Sequence, residues 1–202
     1  MFSDMYNELS QSKYGLPVEA IHLVDNLTIA MGVEELLNKH RIIYDEVIKF
    51  NCQNEFDESN DYTRPHSVGG LTIFIKTNNI EKAVIFISEE PIFIPDGDVK
   101  LDFLSMCHYM FLIHELGHVE DFTKGINIKK TENIDLVKAE AYADIFTLKK
   151  LKSKSHPAIR IALSYYAKNV IANSSKNEFY KAVMLQIRKK ILLENIRKWA
   201  KS

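Results

Sequence analysis

Residues 99–125, VKLDFLSMCHYMFLIHELGHVEDFTKG, most constrain what this chain can fold into. The stretch is rich in apolar residues and ends near Gly125, so it is predicted to form one long, buried helix. In its second half it carries His114, Glu115 and His118, the pattern H-E-x-x-H. Burying these side chains without partners would cost free energy. The pattern therefore indicates either a metal site or core histidines satisfied by hydrogen bonds.

The helical spacing of the three residues suits a catalytic metal. His114 and His118 lie about 40° apart around a helix axis, so both imidazoles can point at one ion. Glu115 lies about 100° from His114 and about 60° from His118, on the same side. Zinc lowers the pKa of a water bound to it toward roughly 7, and a nearby carboxylate can accept the proton. This pattern predicts His114 and His118 as zinc ligands and Glu115 as the catalytic general base.

Gly117, inside the pattern, costs about 1 kcal/mol in a helix interior. Its presence is easier to understand if another backbone or a substrate comes close at that point.

A catalytic zinc usually has three protein ligands, so a third must come from elsewhere in the chain. Glu140 and Asp144 lie four apart in the helical stretch KAEAYADIFTLKKL and share a face. Glu140 is predicted to be the third ligand, and Asp144 to orient one of the histidines by accepting its Nδ1–H. The alternatives are an exposed acidic pair balanced by nearby lysines, or Asp121 as the third ligand, which is less favoured because it ends the same helix.

The segment HELGH followed by Glu140-Ala-Tyr-Ala-Asp144-Ile-Phe146 resembles zinc peptidases with a glutamate third ligand, the thermolysin-like gluzincins. Among these it is most similar to the ImmA/IrrE family of small metallopeptidases, over roughly residues 68–150. The resemblance implies His114, His118 and Glu140 as zinc ligands, Glu115 as general base and Asp144 as a supporting carboxylate. It also implies a regulatory protein substrate, such as a DNA-binding transcriptional repressor. Glu120 departs from the family pattern, in which this position is usually apolar.

The expected fold class is α+β: a zincin-like domain with a small, mostly antiparallel sheet packed on a helical core. One domain is expected over residues 1–202, with a helical part (1–65), a sheet (66–100) and a helical part that holds the metal (101–202). Residues 17–50 are predicted as two helices and 51–67 as a loop. Three strands are predicted at Leu71–Lys76, Ala83–Ser88 and Ile92–Ile94, and either of the first two could form a sheet edge that binds an extended substrate. Further helices are predicted at 132–152, at 157–173 and at 176–201.

Composition excludes several classes of protein. A net charge of −1 gives no global attraction to nucleic acid or membrane. Two cysteines, Cys52 and Cys107, make neither a disulfide framework nor a cysteine-rich zinc site. The start of the chain lacks the features of a secretory signal, and no stretch is apolar enough to span a membrane, so a cytoplasmic location is expected.

The C-terminal stretch 181–202 carries seven Lys or Arg against one Glu. It would either bind nucleic acid directly or, as is favoured, dock as an amphipathic helix with a solvated basic face.

The predicted function is a zinc-dependent endopeptidase. The alternative is a non-enzymatic module that uses the same scaffold to bind a protein or nucleic-acid partner. Other divalent ions would also suit a His₂Glu site.

The sequence does not single out a residue that stabilises the oxyanion. Four side chains could do so, although each is also explained by packing or by a surface position: Tyr142, His156, Tyr165 and Tyr166. Four other histidines lack metal-type spacing and are expected to be structural: His22, His40, His66 and His108.

Overall fold

The computed structural model describes residues 1–29, 31–50, 69–90, 100–129 and 136–201. These residues form two compact units, Met1–Glu115 and Leu116–Ser202. Their helices and mixed four-stranded sheet confirm the predicted α+β class. In chain order the elements are α1 (Phe2–Ser12), a 3₁₀ turn (Lys13–Gly15), β1 (Val18–Val24), α2 (Asn26–Ile29), α3 (Val33–Lys39), β2 (Glu46–Phe50), β3 (Gly70–Thr77), β4 (Ile80–Ser88), α4 (Lys100–Thr123), α5 (Leu136–Lys152), α6 (Pro157–Asn173), α7 (Glu178–Arg188) and α8 (Leu193–Ala200).

The sheet belongs to the first unit and has the order β1-β4-β3-β2. β4 pairs with β3 and β3 with β2 in antiparallel fashion, whereas β1 pairs with β4 in parallel. β3 and β4 confirm the predicted strands Leu71–Lys76 and Ala83–Ser88. A two-residue turn joins them, with Asn78 and Asn79 at positive φ, a conformation that asparagine tolerates better than most residues.

The expectation that Leu71–Lys76 or Ala83–Ser88 forms a sheet edge is wrong, because β3 and β4 are the inner strands of the described sheet. The predicted strand Ile92–Ile94 and the predicted loop 51–67 lie outside the described residues.

The prediction of two helices over 17–50 is wrong for most of that stretch. The segment forms β1, α2, α3 and β2 in turn. Apolar residues three and four apart suggested helices, but Leu27 and Ile43 are 80% and 82% exposed. β1, which is rich in β-branched residues, pairs instead with the inner strand β4. A short apolar run is compatible with a helix or a strand, and this tertiary pairing selects the strand.

The alternation of β3 assigns its two faces different partners. Leu71, Ile73 and Ile75 belong to a buried core that also contains Leu36 and Leu37 of α3. Gly70 and Thr72 alternate with these residues and so point to the opposite face, where both meet the Glu115 side chain of α4. β3 therefore links the sheet core to the helix that carries the H-E-x-x-H pattern.

Helix α4 confirms the predicted long helix, and Gly125 follows it at positive φ. In the second unit α6 begins at Pro157, which is favoured in the first turn of a helix, and ends at Asn173, as predicted. The single helix predicted for 176–201 is wrong, because it is divided into α7 and α8.

The division of the last helix follows from its buried residues. Ile187, Ile191, Ile196 and Ala200 are buried, and the step of five from Ile191 to Ile196 does not keep one face of a continuous helix inward. Leu192 is 60% exposed and precedes α8 in an extended conformation. Among the described residues, every helix is too short or too polar to cross a bilayer.

Candidate metal centre

Three side chains of α4 form a cluster of metal-binding groups. One nitrogen each from His114 and His118 and one oxygen from Glu115 all lie within 4.8 Å of one another. His118 is fully buried, Glu115 is 3% exposed and His114 is partly buried. The two histidines are one turn apart on a regular helix, so this grouping follows from local structure alone.

Gly117 lets helix α5 come close to this part of α4. A Cβ at Gly117 would lie only 2.8 Å from the Ala143 Cα. The expected approach of another backbone at this glycine is confirmed, and that backbone belongs to α5. Glu140 lies three residues before Ala143 and therefore shares its face of α5.

Glu140 is brought beside one of the two histidines. Its Oε1 lies 3.4 Å from Nε2 of His118, and both side chains are almost completely buried. A carboxylate and an imidazole nitrogen at this distance can be bridged by a proton or can bind one cation together. Two imidazoles with carboxylate oxygen form the set of ligands that zinc uses in many hydrolytic sites. The group of His114, Glu115 and His118 could therefore hold a metal ion, and Glu140 lies beside His118.

Within the first unit, β3 holds the side chain of Glu115. The Thr72 hydroxyl donates a hydrogen bond of 2.7 Å to Glu115 Oε2, and Thr72 is fully buried. Gly70 leaves the space that the carboxylate occupies, since a Cβ there would lie 2.6 Å from Oε1. Gly69 likewise leaves the space that the Phe111 ring occupies, since a Cβ at Gly69 would overlap that ring.

Asp144 has a hydrogen-bond partner that the sequence did not suggest. The Tyr166 hydroxyl of α6 donates to Asp144 Oδ1 at 2.6 Å. Burial raises the pKa of Tyr166 well above its usual value, and the charge of Asp144 adds to the effect. The expectation that Asp144 orients a histidine stays a prediction.

Asp121, the alternative third ligand, binds the turn after α4. Its carboxylate accepts hydrogen bonds from the Ile128 N–H at 3.0 Å and from the Asn127 backbone and side chain. Burial raises the pKa of Asp121, and these hydrogen bonds partly oppose that rise. Its bonds explain a fully buried carboxylate at this position without a metal.

The side chains weighed as oxyanion stabilisers have other contacts. Tyr142 donates to Glu120 Oε2 at 2.7 Å, and Tyr166 donates to Asp144. His156 accepts the Ala158 N–H and caps α6. Glu120, which departs from the family pattern, is partly exposed and also pairs with Lys124 at 3.1 Å. A charged residue is thus accommodated at a position with access to solvent.

The other histidines show no metal-type grouping in the part of the chain that the structure describes. His108 Nε2 lies 2.9 Å from the Glu89 carbonyl oxygen. His22 and His40 stack beside each other, with ring centroids 4.5 Å apart. His66 and Cys52 lie outside the described residues.

Sequence reasoning missed Thr72 and Gly70. A signal existed for the glycines, because Gly69-Gly70 at the start of a predicted strand indicates a close backbone approach. Nothing in the sequence pairs Thr72 with a residue 43 positions away. Comparison of the chain with protein-family models, with curated proteins and with solved structures finds no match.

Proposed function

We propose that this chain is a zinc-dependent endopeptidase with a zincin-like arrangement, similar to the ImmA/IrrE family. In this proposal His114, His118 and Glu140 hold the zinc and Glu115 is the general base. The observation that carries it is the buried grouping of His114, Glu115 and His118 within 4.8 Å, with Glu140 3.4 Å from His118. A shared metal ion would offset the free-energy cost of burying these polar side chains.

The chemistry divides between the metal and the chain. Zinc, when bound, supplies a Lewis acid that polarises the scissile carbonyl and promotes ionisation of water. Glu115 accepts a proton from the attacking water and later gives it to the leaving amine. Its near-complete burial suits this role, because electrostatic interactions are stronger where water is excluded. Asp144, held by Tyr166, supports the face of α5 that carries Glu140.

The proposed substrate is a regulatory protein, such as a DNA-binding repressor, because members of the family that the motif resembles act on such proteins. Direct binding of nucleic acid by the basic residues of α7 and α8 is not part of the proposal. Ile187 and Ile196 are fully buried, which favours the interpretation of α7 and α8 as amphipathic helices that pack on their own unit.

The first test is the metal content of the purified chain, measured by mass spectrometry after zinc is supplied. About one zinc per wild-type chain is expected, with loss of zinc in a His114→Ala, Glu140→Ala double variant. Wild-type protein without zinc would overturn the proposal and leave the cluster as helix packing.

The second test separates an enzyme from a metal-binding module. Wild-type protein is incubated with a mixture of proteome-derived peptides, and new termini are identified by mass spectrometry. Glu115→Gln is expected to keep zinc and fold but to lose cleavage, whereas the matched variant Glu120→Gln on the same helix keeps both. Cleavage by Glu115→Gln at the wild-type rate would contradict the proposed base. Zinc without any cleavage by the wild type would favour the non-enzymatic alternative.

A further inference from the structure

The distances around Glu115 do not by themselves distinguish a base from a ligand. Its carboxylate lies within 4.8 Å of the nitrogens of His114 and His118. A small rotation of a flexible side chain covers such a distance, and an anionic carboxylate is a good zinc ligand. A carboxylate that binds the metal is a weaker base, because the positive charge of the ion lowers its affinity for a proton. Something must hold Glu115 in one role.

β3 supplies that restraint from a rigid, buried strand. The Thr72 hydroxyl binds Oε2 of Glu115 at 2.7 Å. Gly70, on the same face of β3, leaves room for Oε1 and the side-chain carbons, which lie 2.6–2.9 Å from the place of a Cβ. Thr72 pairs with Ile85 and Gly70 with Ile87 in the antiparallel ladder. The position of the hydroxyl is thus fixed by the sheet.

We infer that Thr72 is a positioning residue that tethers Glu115 to β3 and keeps its carboxylate out of the set of metal ligands. This inference rests on the proposed function. The hydrogen bond satisfies one carboxylate oxygen, so the lone pair facing the reacting water belongs to a side chain with a single orientation. Gly70 makes the tether possible, since any larger residue would push the carboxylate away from the strand.

The inference predicts a change in metal affinity of unusual sign. Thr72→Val keeps the side-chain shape but removes the hydroxyl, so Glu115 is free to turn toward the metal as an additional ligand. Co²⁺ binding, followed by visible absorption, is expected to become about tenfold tighter, with a changed spectrum. A purely structural role for Thr72 would give the opposite sign, because a less stable fold binds metal more weakly.

Three variants make the test specific. Thr72→Ser keeps a hydroxyl and is expected to retain wild-type affinity and spectrum. Thr28→Val is a matched control, because Thr28 is also buried and also donates to a carboxylate, Asp25 Oδ2, at 2.6 Å. It is expected to leave the Co²⁺ spectrum unchanged. Combining Thr72→Val with Glu115→Gln is expected to abolish the gain in affinity, because the neutral amide replaces the anionic ligand.

The outcomes separate this inference from the proposed function. Wild-type protein that binds no Co²⁺ and no Zn²⁺ would overturn both. Wild-type binding together with a Thr72→Val variant of equal or weaker affinity and unchanged spectrum would overturn the role of Thr72 alone. Tighter binding that persists in the Glu115→Gln background would also overturn it, since the gain would not come from Glu115.

Discussion

The Tyr166 hydroxyl donates a hydrogen bond of 2.6 Å to Asp144, joining α6 to the helix that carries Glu140. Tyr166 is buried, and the charge of Asp144 helps to hold its pKa well above the usual value. The bond therefore connects a neutral donor to a carboxylate in a setting with little water. Removal of such a donor costs stability, because hydrogen bonds to charged groups are stronger than those between neutral groups.

Tyr166→Phe is expected to lower the free energy of unfolding by about 1–3 kcal/mol, because a charged carboxylate loses a hydrogen bond from a buried donor. The measurement is urea unfolding followed by circular dichroism. Tyr142→Phe provides the comparison, since Tyr142 makes a similar bond of 2.7 Å to Glu120 where both groups are partly exposed. That variant is expected to lose less, about 0.5–1 kcal/mol. Equal losses in both variants would contradict the importance of the burial of Tyr166.

Gly117→Ala is expected to destabilise the protein although alanine is the better helix former. The added Cβ would lie 2.8 Å from the Ala143 Cα. The gain of about 1 kcal/mol in helix propensity is offset by overpacking, which typically costs 1–3 kcal/mol or requires α5 to move. Thermal unfolding measures the net change, and zinc content reports whether Glu140 remains in place beside His118.

A matched glycine substitution isolates the steric effect at Gly117. Gly32 precedes α3, has a φ of −60° and has nothing within 4 Å of an added Cβ. Gly32→Ala is expected to change stability by less than about 1 kcal/mol, because the restriction of the unfolded chain by alanine is offset by the preference for glycine at the N-cap of α3. If Gly117→Ala were as harmless as Gly32→Ala, the close approach of α4 and α5 at Ala143 would be wrong.

The candidate site was more predictable from sequence than the fold of the first unit. Helix geometry alone brings His114 and His118 together. Glu140, which lies beside His118, stands in a second stretch whose helical pattern is clear from the sequence. Pro157 marked the beginning of α6 in the same way. In contrast, the sequence pattern of β1 is equally compatible with a helix, and its pairing with β4 decides its structure. Thr72 depends on a contact with Glu115 that no local pattern encodes.

Stability is expected to fall in mild acid because of His22 and His40. Burial lowers the pKa of both, helped by the charge of His40 for His22 and of Lys39 for His40. The pKa of each histidine is therefore lower in the folded state than in the unfolded state, where it is about 6.5. The contribution of these histidines to stability is fully present above about pH 6.5 and is lost as the pH falls through their pKa values in the folded state. Urea midpoints from about pH 7.5 to about pH 5 measure this loss.

Replacing both histidines by glutamine is expected to flatten that part of the pH dependence. The two rings contact each other, and His22 stacks on Phe86 while His40 meets Phe86 edge to face, so some loss of stability at every pH is also expected. A variant whose midpoints fall between these pH values as steeply as those of the wild type would show that other groups cause the acid sensitivity.

Cys107 is expected to be unreactive in the folded protein. It is fully buried in α4, and burial raises the pKa of its thiol to about 12. At about pH 8 almost none of it is thiolate, the form that attacks disulfide reagents. In a Cys52→Ser background, which leaves Cys107 as the sole thiol, Ellman's reagent should label no thiol in native buffer and one per chain in denaturant. Labelling in native buffer at the rate of a free thiol would contradict the burial of this face of α4.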